Sequence, residues 1–305
     1  SGFTVYNELS RSGWKVFLLI INDDEWYIKT SDIEKIKFSK NDFSFNYNKK
    51  NYKFNVIFNA VHGQPGEDGE LAILLDSKNI PHTSCNFSAA NLTYSKKDCL
   101  IEAKKFNIAT AKSIYIDSED KLIESEIINE IGLPCFVKAN KAGSSFGVYR
   151  VSDKKMLRPS IKNAFKEDSQ VVIESELKGR EVSVGVYKDI DGIKCLPVTE
   201  IISENEFFDY EAKYLGKAIE ITPAQIPNEW IDSVIKTSIY LYKKFNLKGI
   251  CRSEYIFVDD IPHLLEINSV PGLTEQSIVP KQCKAAGISL NLFFEKLLIE
   301  AINKN

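Results

Sequence analysis

Short apolar runs rich in β-branched residues alternate along this chain with amphipathic stretches of helical period, and that alternation restricts it to an α/β architecture. Lys15–Ile21 and Asn55–Val61 read as buried strands, with the polar, aromatic and lysine-rich residues 22–53 between them as loops and edge structure. From Ser84 to Phe106 the pattern turns helical, with Phe87, Ala90 and Tyr94 and then Cys99, Ala103 and Phe106 at helical spacing. Strands are expected at Pro134–Ala139, Val148–Ser152, Val171–Glu174, Glu181–Tyr187 and Lys194–Ile202. Pro159 is expected in the first turn of a short helix, where its missing N–H does no harm. Residues 228–245 form the clearest helix: Asn228 caps it, Trp230, Val234, Ile235 and Ile239 line one face, and Asn246 and Gly249 close it. Cys251–Val258 and Pro262–Asn268 read as a hairpin joined by Asp259-Asp260. The chain divides near 1–92, 93–178 and 179–305.

Composition narrows the functional classes. A chain of 305 residues has room for two or three domains, and it contains no apolar run long enough to span a membrane. With 39 Lys+Arg against 42 Asp+Glu, the net charge of -3 argues against a nucleic-acid partner. Cys85, Cys99, Cys135, Cys195, Cys251 and Cys283 form no C-x-x-C pair, so they read as reduced core thiols of a cytoplasmic protein. Only three histidines occur (His62, His82, His263), which disfavours a histidine-built metal centre. Neither His62 nor Ser144 sits in a nucleophile motif.

Four segments carry candidate chemistry. Lys141-Ala142-Gly143-Ser144-Ser145-Phe146-Gly147 lies between two expected strands and reads as a phosphate cradle or as a plain glycine turn. Lys138 on the preceding strand favours the cradle. Glu266 and Asn268 share a strand face because the side-chain period is two, and Glu254 can reach them across the hairpin. These three oxygen donors suit a hydrated Mg²⁺, or else a solvated polar strand; Arg252, on the face of Glu254, would stabilise oxyanion charge or form a salt bridge. Phe208–Lys217 is a charged, aromatic run suited to a lid or to a surface loop. His62-Gly63-Gln64-Pro65-Gly66-Glu67-Asp68-Gly69 follows a strand, where ligand crevices and ordinary turns both occur.

In this order the motifs resemble those of the D-alanine–D-alanine ligase family of the ATP-grasp superfamily. The resemblance runs from His62-Gly63 and Gly66-Glu67-Asp68-Gly69 through Val137-Lys138, Gly143-Ser144-Ser145, Tyr210-Glu211-Ala212-Lys213-Tyr214 and Thr222-Pro223-Ala224. It ends with Glu266-Ile267-Asn268-Ser269-Val270-Pro271-Gly272-Leu273-Thr274 and Ser277. It implies a three-domain ATP-grasp fold with a Rossmann-like N-terminal domain, and ATP-dependent joining of two D-alanines through an acylphosphate, for peptidoglycan precursors. By position it implies that Lys96, Lys138 and Ser145 bind ATP phosphates, that Lys213 reaches the γ-phosphate, and that Glu174 and Glu181 face adenine and ribose. Glu254, Glu266 and Asn268 would hold Mg²⁺, or Mn²⁺ in its place. Arg252 and the backbone around Gly272 would stabilise the intermediate, Ser144 and Tyr214 would close the lid, Ser277 would meet the second carboxylate and His62 would lie near the first D-alanine. The resemblance also implies a homodimer as the assembly to look for.

Three departures accompany the resemblance. Ser1-Gly2 aligns just after the family's opening strand and Gly/Ser-rich loop, so that strand and a glutamate gripping the first amine are expected to be missing here. Glu254 stands where the family usually has aspartate, which moves the carboxylate by about 1.5 Å. Ala139 replaces a common proline, a change expected to touch loop rigidity. The alternatives are a ligase forming a different dipeptide and a degenerate homologue that binds nucleotide without turnover.

Overall fold

A computed structural model of the chain describes residues 1–22, 25–30, 35–118, 123–143, 147–203 and 218–303. It opens with helix α1 (Gly2–Arg11), followed by an antiparallel meander of β1 (Leu18–Ile21), β2 (Trp26–Lys29), β3 (Lys35–Ser39), β4 (Ser44–Tyr47) and β5 (Lys50–Lys53). Four of these strands occupy the segment read from sequence as loops. Each is only four or five residues long, too short for its alternation to stand out. Their register nonetheless places Ile28, Phe38 and Phe45 in one buried cluster with Leu71 and Leu75 of α2 (Glu70–Ser77). The strand expected at Asn55–Val61 reduces to a single parallel bridge, Ile57 to His82, and that bridge is the parallel pairing the first 92 residues retain among those described.

The helical run beginning at Ser84 is broken at Ser95 into α3 (Phe87–Tyr94) and α4 (Lys96–Lys105). Asn86 Oδ1 accepts from Ala89 N–H at 2.9 Å and Ser95 Oγ accepts from Asp98 N–H at 3.2 Å, so each helix has its own side-chain cap. A four-stranded antiparallel sheet follows, built from β6 (Ser113–Ile116), β7 (Cys135–Ala139), β8 (Val148–Val151) and β9 (Val171–Ser175) in the order β6-β9-β7-β8. Helices α5 (Glu124–Ile131) and α6 (Lys154–Ala164) cover one face of it. Pro159 lies inside α6 and not in its first turn. An interior proline costs a helix about 3 kcal/mol, and here the buried Leu157, Ile161 and Ala164 face offsets that.

The last sheet has the order β13-β12-β10-β14-β15, with β11 paired on β10. Its strands are β10 (Arg180–Asp189), β11 (Gly192–Cys195), β12 (Thr199–Ser203), β13 (Ala218–Ile221), β14 (Ile250–Val258) and β15 (Ile261–Asn268). The expected strand Lys194–Ile202 is therefore two, interrupted around Pro197, which has no N–H for a ladder. Helix α7 (Asn228–Lys244) packs on this sheet. Its N-cap is Pro227, so Asn228 is the first helical residue and not the cap. At its other end Asn246 adopts φ 51°, and Leu247 N–H reaches Tyr242 O at 2.9 Å while Asn246 N–H reaches Lys243 O at 3.1 Å, a Schellman closure. Asp259 and Asp260 both take positive φ (46° and 64°), as a two-residue hairpin turn demands. Helices α8 (Ile278–Ala285) and α9 (Leu290–Asn303) complete the chain, and Val5 and Leu9 of α1 share a core with Phe293, Phe294 and Leu297 of α9.

Candidate active site

Strand alternation gives the central and last sheets the same division of faces. In β10, Val182, Val184 and Val186 point into the core shared with Val234, Leu241 and Tyr242 of α7 and with Cys99, Leu100 and Ala103 of α4. Glu181, Ser183 and Gly185 therefore point the other way. The register pairs Gly185 with Arg252 and Ser183 with Glu254, and across the hairpin pairs Arg252 with Asn268 and Glu254 with Glu266. All four expected residues of β14 and β15 thus lie on one polar face, and a bulge directly after Glu254 ends that regular stretch.

The electrostatics of this face are unusual for a strand pair. Glu254 and Glu266 are directly opposed, an arrangement that destabilises a sheet unless a cation intervenes. Arg252 Nη2 donates to Glu254 Oε1 at 2.5 Å, and Lys96 Nζ stands 3.8 Å from Glu266 Oε2. Burial works to lower the Arg252 pKa, but Glu254 and Glu266 outweigh it and hold the guanidinium above its ordinary value. Its Nε is buried without a hydrogen-bond partner among the described residues. Asn268 Oδ1 accepts from Val270 N–H at 2.9 Å, which holds its side chain in place. Two carboxylates and an amide oxygen are hard donors. Among the described residues no cluster of three His, Cys, Asp or Glu could hold a metal, so an ion here would draw its other ligands from water and phosphate, the habit of Mg²⁺. The residues present fit such an ion.

The central sheet and α4 each contribute a lysine. Cys135, Val137 and Ala139 of β7 face α5 and α6, leaving Phe136 and Lys138 on the opposite side with Val172 and Glu174 of β9. Lys138 Nζ donates to Glu174 Oε2 at 2.6 Å. Desolvation pulls the Lys138 pKa down, but Glu174, Glu266 and Glu181 together raise it above the ordinary value, so the ammonium persists. Glu266 and Glu181, which help raise that pKa, both belong to the last sheet. Lys96, in the first turn of α4, donates to Ala142 O at 2.6 Å and so ties the glycine loop to the side of the hairpin that carries Glu266. The loop is closed at its base by Ala139 N–H to Gly147 O at 3.0 Å, a bond a proline at that position could not donate. Gly147 takes φ 66°, and a Cβ there would lie 3.0 Å from Ala139 Cβ.

A third group gathers from distant parts of the chain. His62 Nδ1 lies 3.0 Å from Val270 O; since a carbonyl only accepts, that nitrogen carries the hydrogen. Its Nε2 is 2.8 Å from Ser1 Oγ, which also accepts from Leu273 N–H at 3.0 Å. Ser277 Oγ is 2.7 Å from Thr274 Oγ1, and a Cβ on Gly272 would come within 2.8 Å of Ser277 Oγ. A side chain at Gly272 would therefore press on Ser277, which sits at the N-terminus of α8.

Of the residues expected from sequence, Ser144, Ser145, Lys213 and Tyr214 lie outside the described residues. Lys96, Lys138, Glu174, Glu181, Arg252, Glu254, Glu266 and Asn268 come together, while His62, Gly272 and Ser277 form the adjoining group. Sequence reading missed Glu220 and Lys281, which pair at 2.9 Å and join β13, on the polar face, to α8. It also missed Asn140 at the end of β7. Neither has a motif to betray it, because both act through partners remote in sequence. A cavity of about 370 Å³ beside the first sheet, lined by Asn41, Asp42, Lys53 and Lys78 among others, contains none of these residues. All six cysteines are free thiols, and burial pushes Cys99, Cys195 and Cys283 up to about 12, which disfavours the thiolate.

Comparison with known proteins adds to this geometry. Residues 100–299 match the family model described as D-ala D-ala ligase C-terminus. The D-alanine--D-alanine ligase of Flavobacterium johnsoniae is 45% identical over 295 residues, covering 96% of this chain and 91% of that protein. That of Christiangramia forsetii is 41% identical over 304 residues, covering 100% and 93%. Among solved structures, the VanG D-Ala:D-Ser ligase from Enterococcus faecalis aligns with a TM-score of 0.86 at 26% identity, over 98% of this chain and 93% of that one. A D-alanine--D-alanine ligase from Bacillus anthracis complexed with ATP aligns with a TM-score of 0.71 at 29% identity, over 82% and 80%. On these matches, the chain belongs to the D-alanine–D-alanine ligase family and has its ATP-grasp fold.

Proposed function

We propose that this protein joins two D-alanines to D-alanyl-D-alanine at the expense of ATP, as a cytoplasmic step supplying peptidoglycan precursors. The carboxylate of the first D-alanine attacks the γ-phosphorus, ADP leaves, and an acylphosphate results. The amine of the second D-alanine then attacks the acyl carbon. The tetrahedral intermediate collapses, expelling inorganic phosphate, and the nitrogen loses its proton.

The observation that carries this reading is the meeting of unlike groups: Lys138 and the glycine loop from the central sheet, Lys96 from α4, and carboxylates with Arg252 from the last sheet. A carboxylate approaching a triphosphate is repelled, so the reaction needs cations converging on one point. Lys96 and Lys138 bind the phosphates, with Ser145 and Lys213 contributing from the loop and the lid, and Glu181 and Glu174 stand towards the nucleoside. Glu254, Glu266 and Asn268 hold Mg²⁺, or Mn²⁺ in its place. When bound, the metal neutralises charge on the transferring phosphoryl group. Arg252 and the backbone at Gly272 stabilise the oxyanion, Ser277 holds the second carboxylate and His62 lies by the first substrate. Ser144 and Tyr214 close the site, which protects the acylphosphate from water.

The test is incubation of the protein with ATP, Mg²⁺ and D-alanine, followed by mass spectrometry of the dipeptide and assay of phosphate. D-alanyl-D-alanine and phosphate are expected in equal amounts, with none formed from L-alanine. Phosphate release driven by other amino acids, or nucleotide binding without ADP formation, would replace this reading with one of the two alternatives.

A further inference from the structure

The first turn of α4 is closed only in part by its own N-cap. Of its leading backbone donors, Lys96 N–H goes to Asn140 O at 3.3 Å, Lys97 N–H to Asn140 Oδ1 at 2.8 Å and Asp98 N–H to Ser95 Oγ at 3.2 Å. Two of these acceptors belong to Asn140, which lies 45 residues beyond Ser95 in sequence. Asn140 is completely buried. Its Nδ2 donates to Ser95 Oγ and to Gln170 Oε1, each at 3.1 Å, and its N–H donates to Gln170 O at 2.9 Å. One amide thus ties the start of α4, the end of β7 and the approach to β9 into a single knot.

The two lysines argued to hold phosphate flank this knot. Lys96 is the first residue of α4, and Lys138 lies two residues before Asn140 on β7. Lys96 also reaches over the glycine loop to Ala142 O, so the loop, the helix and the strand are indexed to one another through Asn140. A buried amide with its polar atoms satisfied permits little displacement, because any shift leaves a desolvated donor or acceptor unpaired. Phosphate recognition by two point charges depends on their spacing, which α4 and β7 could not hold by apolar packing alone: the buried face of α4 packs against the last sheet and not against β7.

We propose that Asn140 is a positioning residue that sets the spacing of Lys96 and Lys138 for the polyphosphate of ATP. The proposal rests on the nucleotide reading given above. The test measures kcat and the KM values for ATP and D-alanine in Asn140→Ala, Asn140→Asp, Lys96→Ala and the Asn140→Ala/Lys96→Ala double variant. Asn140→Ala is expected to raise the ATP KM about tenfold while the D-alanine KM stays within about twofold. In the Lys96→Ala background the same change is expected to have an effect under about twofold, because the lysine it positions is gone. Asn140→Asp keeps the acceptor for Lys97 N–H, and Gln170 can turn its amide to donate, so most of the ATP affinity returns. A loss of kcat and Tm with an unchanged ATP KM would overturn the proposal, as would full additivity with Lys96→Ala. If Asn140→Ala does not fold, Ser95→Ala carries the test: an ATP KM raised about threefold supports the proposal and an unchanged one refutes it. If neither Lys96→Ala nor Lys138→Ala alters the ATP KM, the nucleotide reading falls and this proposal with it. If they do and Asn140→Ala does not, this proposal alone falls.

Discussion

The polar faces of the central and last sheets solve the problem of buried charge in opposite ways. On the central sheet, the opposite charges of Lys138 and Glu174 are in direct contact at 2.6 Å. On the last sheet, Glu254 and Glu266 oppose one another directly, with Arg252 engaged by one and Lys96 at 3.8 Å from the other. The first arrangement is a preformed cradle whose charge is already balanced. The second sets two carboxylates directly against each other and places one cation beside each. The difference teaches where binding energy should reside: in shape on the central sheet, and in ionic demand on the last one.

Three changes would break or sharpen this contrast. The largest effect belongs to Arg252→Ala, which removes the guanidinium with an unused buried donor. We expect kcat to fall by about 10³-fold with the ATP KM changed by less than about threefold; equal losses in both would make Arg252 a structural or binding residue. Next comes Glu174→Ala, which leaves Lys138 buried without its closest partner. Unfolding free energy should drop by about 3 kcal/mol, measured by denaturant titration near neutral pH.

The sign of the associated pH dependence follows from the raised Lys138 pKa. A raised folded-state value stabilises the protein fully below the ordinary lysine range and ceases to do so as pH climbs through the folded value. The wild type should therefore lose this increment only above the ordinary lysine value, and Glu174→Ala should lack that alkaline step. The smallest effect is expected of Glu266→Gln, which relieves the opposed carboxylates. The Mg²⁺ concentration for half-maximal activity should rise about tenfold, while the Tm without metal should not fall. A lower metal-free Tm would show that the opposed pair is already compensated, and the contrast between the faces would disappear.

The hairpin part of the candidate site could be read from spacing alone, whereas Lys96, Glu174, Glu181 and Ser277 came from the family resemblance. Arg252 with Glu254, and Glu266 with Asn268, share a face because strand side chains repeat every two residues. The hairpin turn at Asp259-Asp260 made their cross-strand approach foreseeable. The helix at 228–244 and its closure at Asn246 followed from period and from a residue tolerant of positive φ. The first sheet was not legible, since its short strands are stabilised by aromatic packing such as Phe38 on Phe43 and Phe45 on Tyr52. The break at Ser95 was hidden too, because one serine serves as the end of α3 and the cap of α4.

What the sequence determined by itself is therefore local: which residues share a strand face, where turns fall, and that phosphate-type and metal-type donors occur in a fixed order. Which faces meet was decided by tertiary structure. Lys96 reaches both Ala142 and Glu266, Asn140 closes a helix that begins 44 residues earlier, and Ser1 bridges His62 to Leu273. The physical reason is that periodicity acts within one element, whereas such contacts depend on the register and packing of elements far apart along the chain. No spacing rule along the chain encodes them.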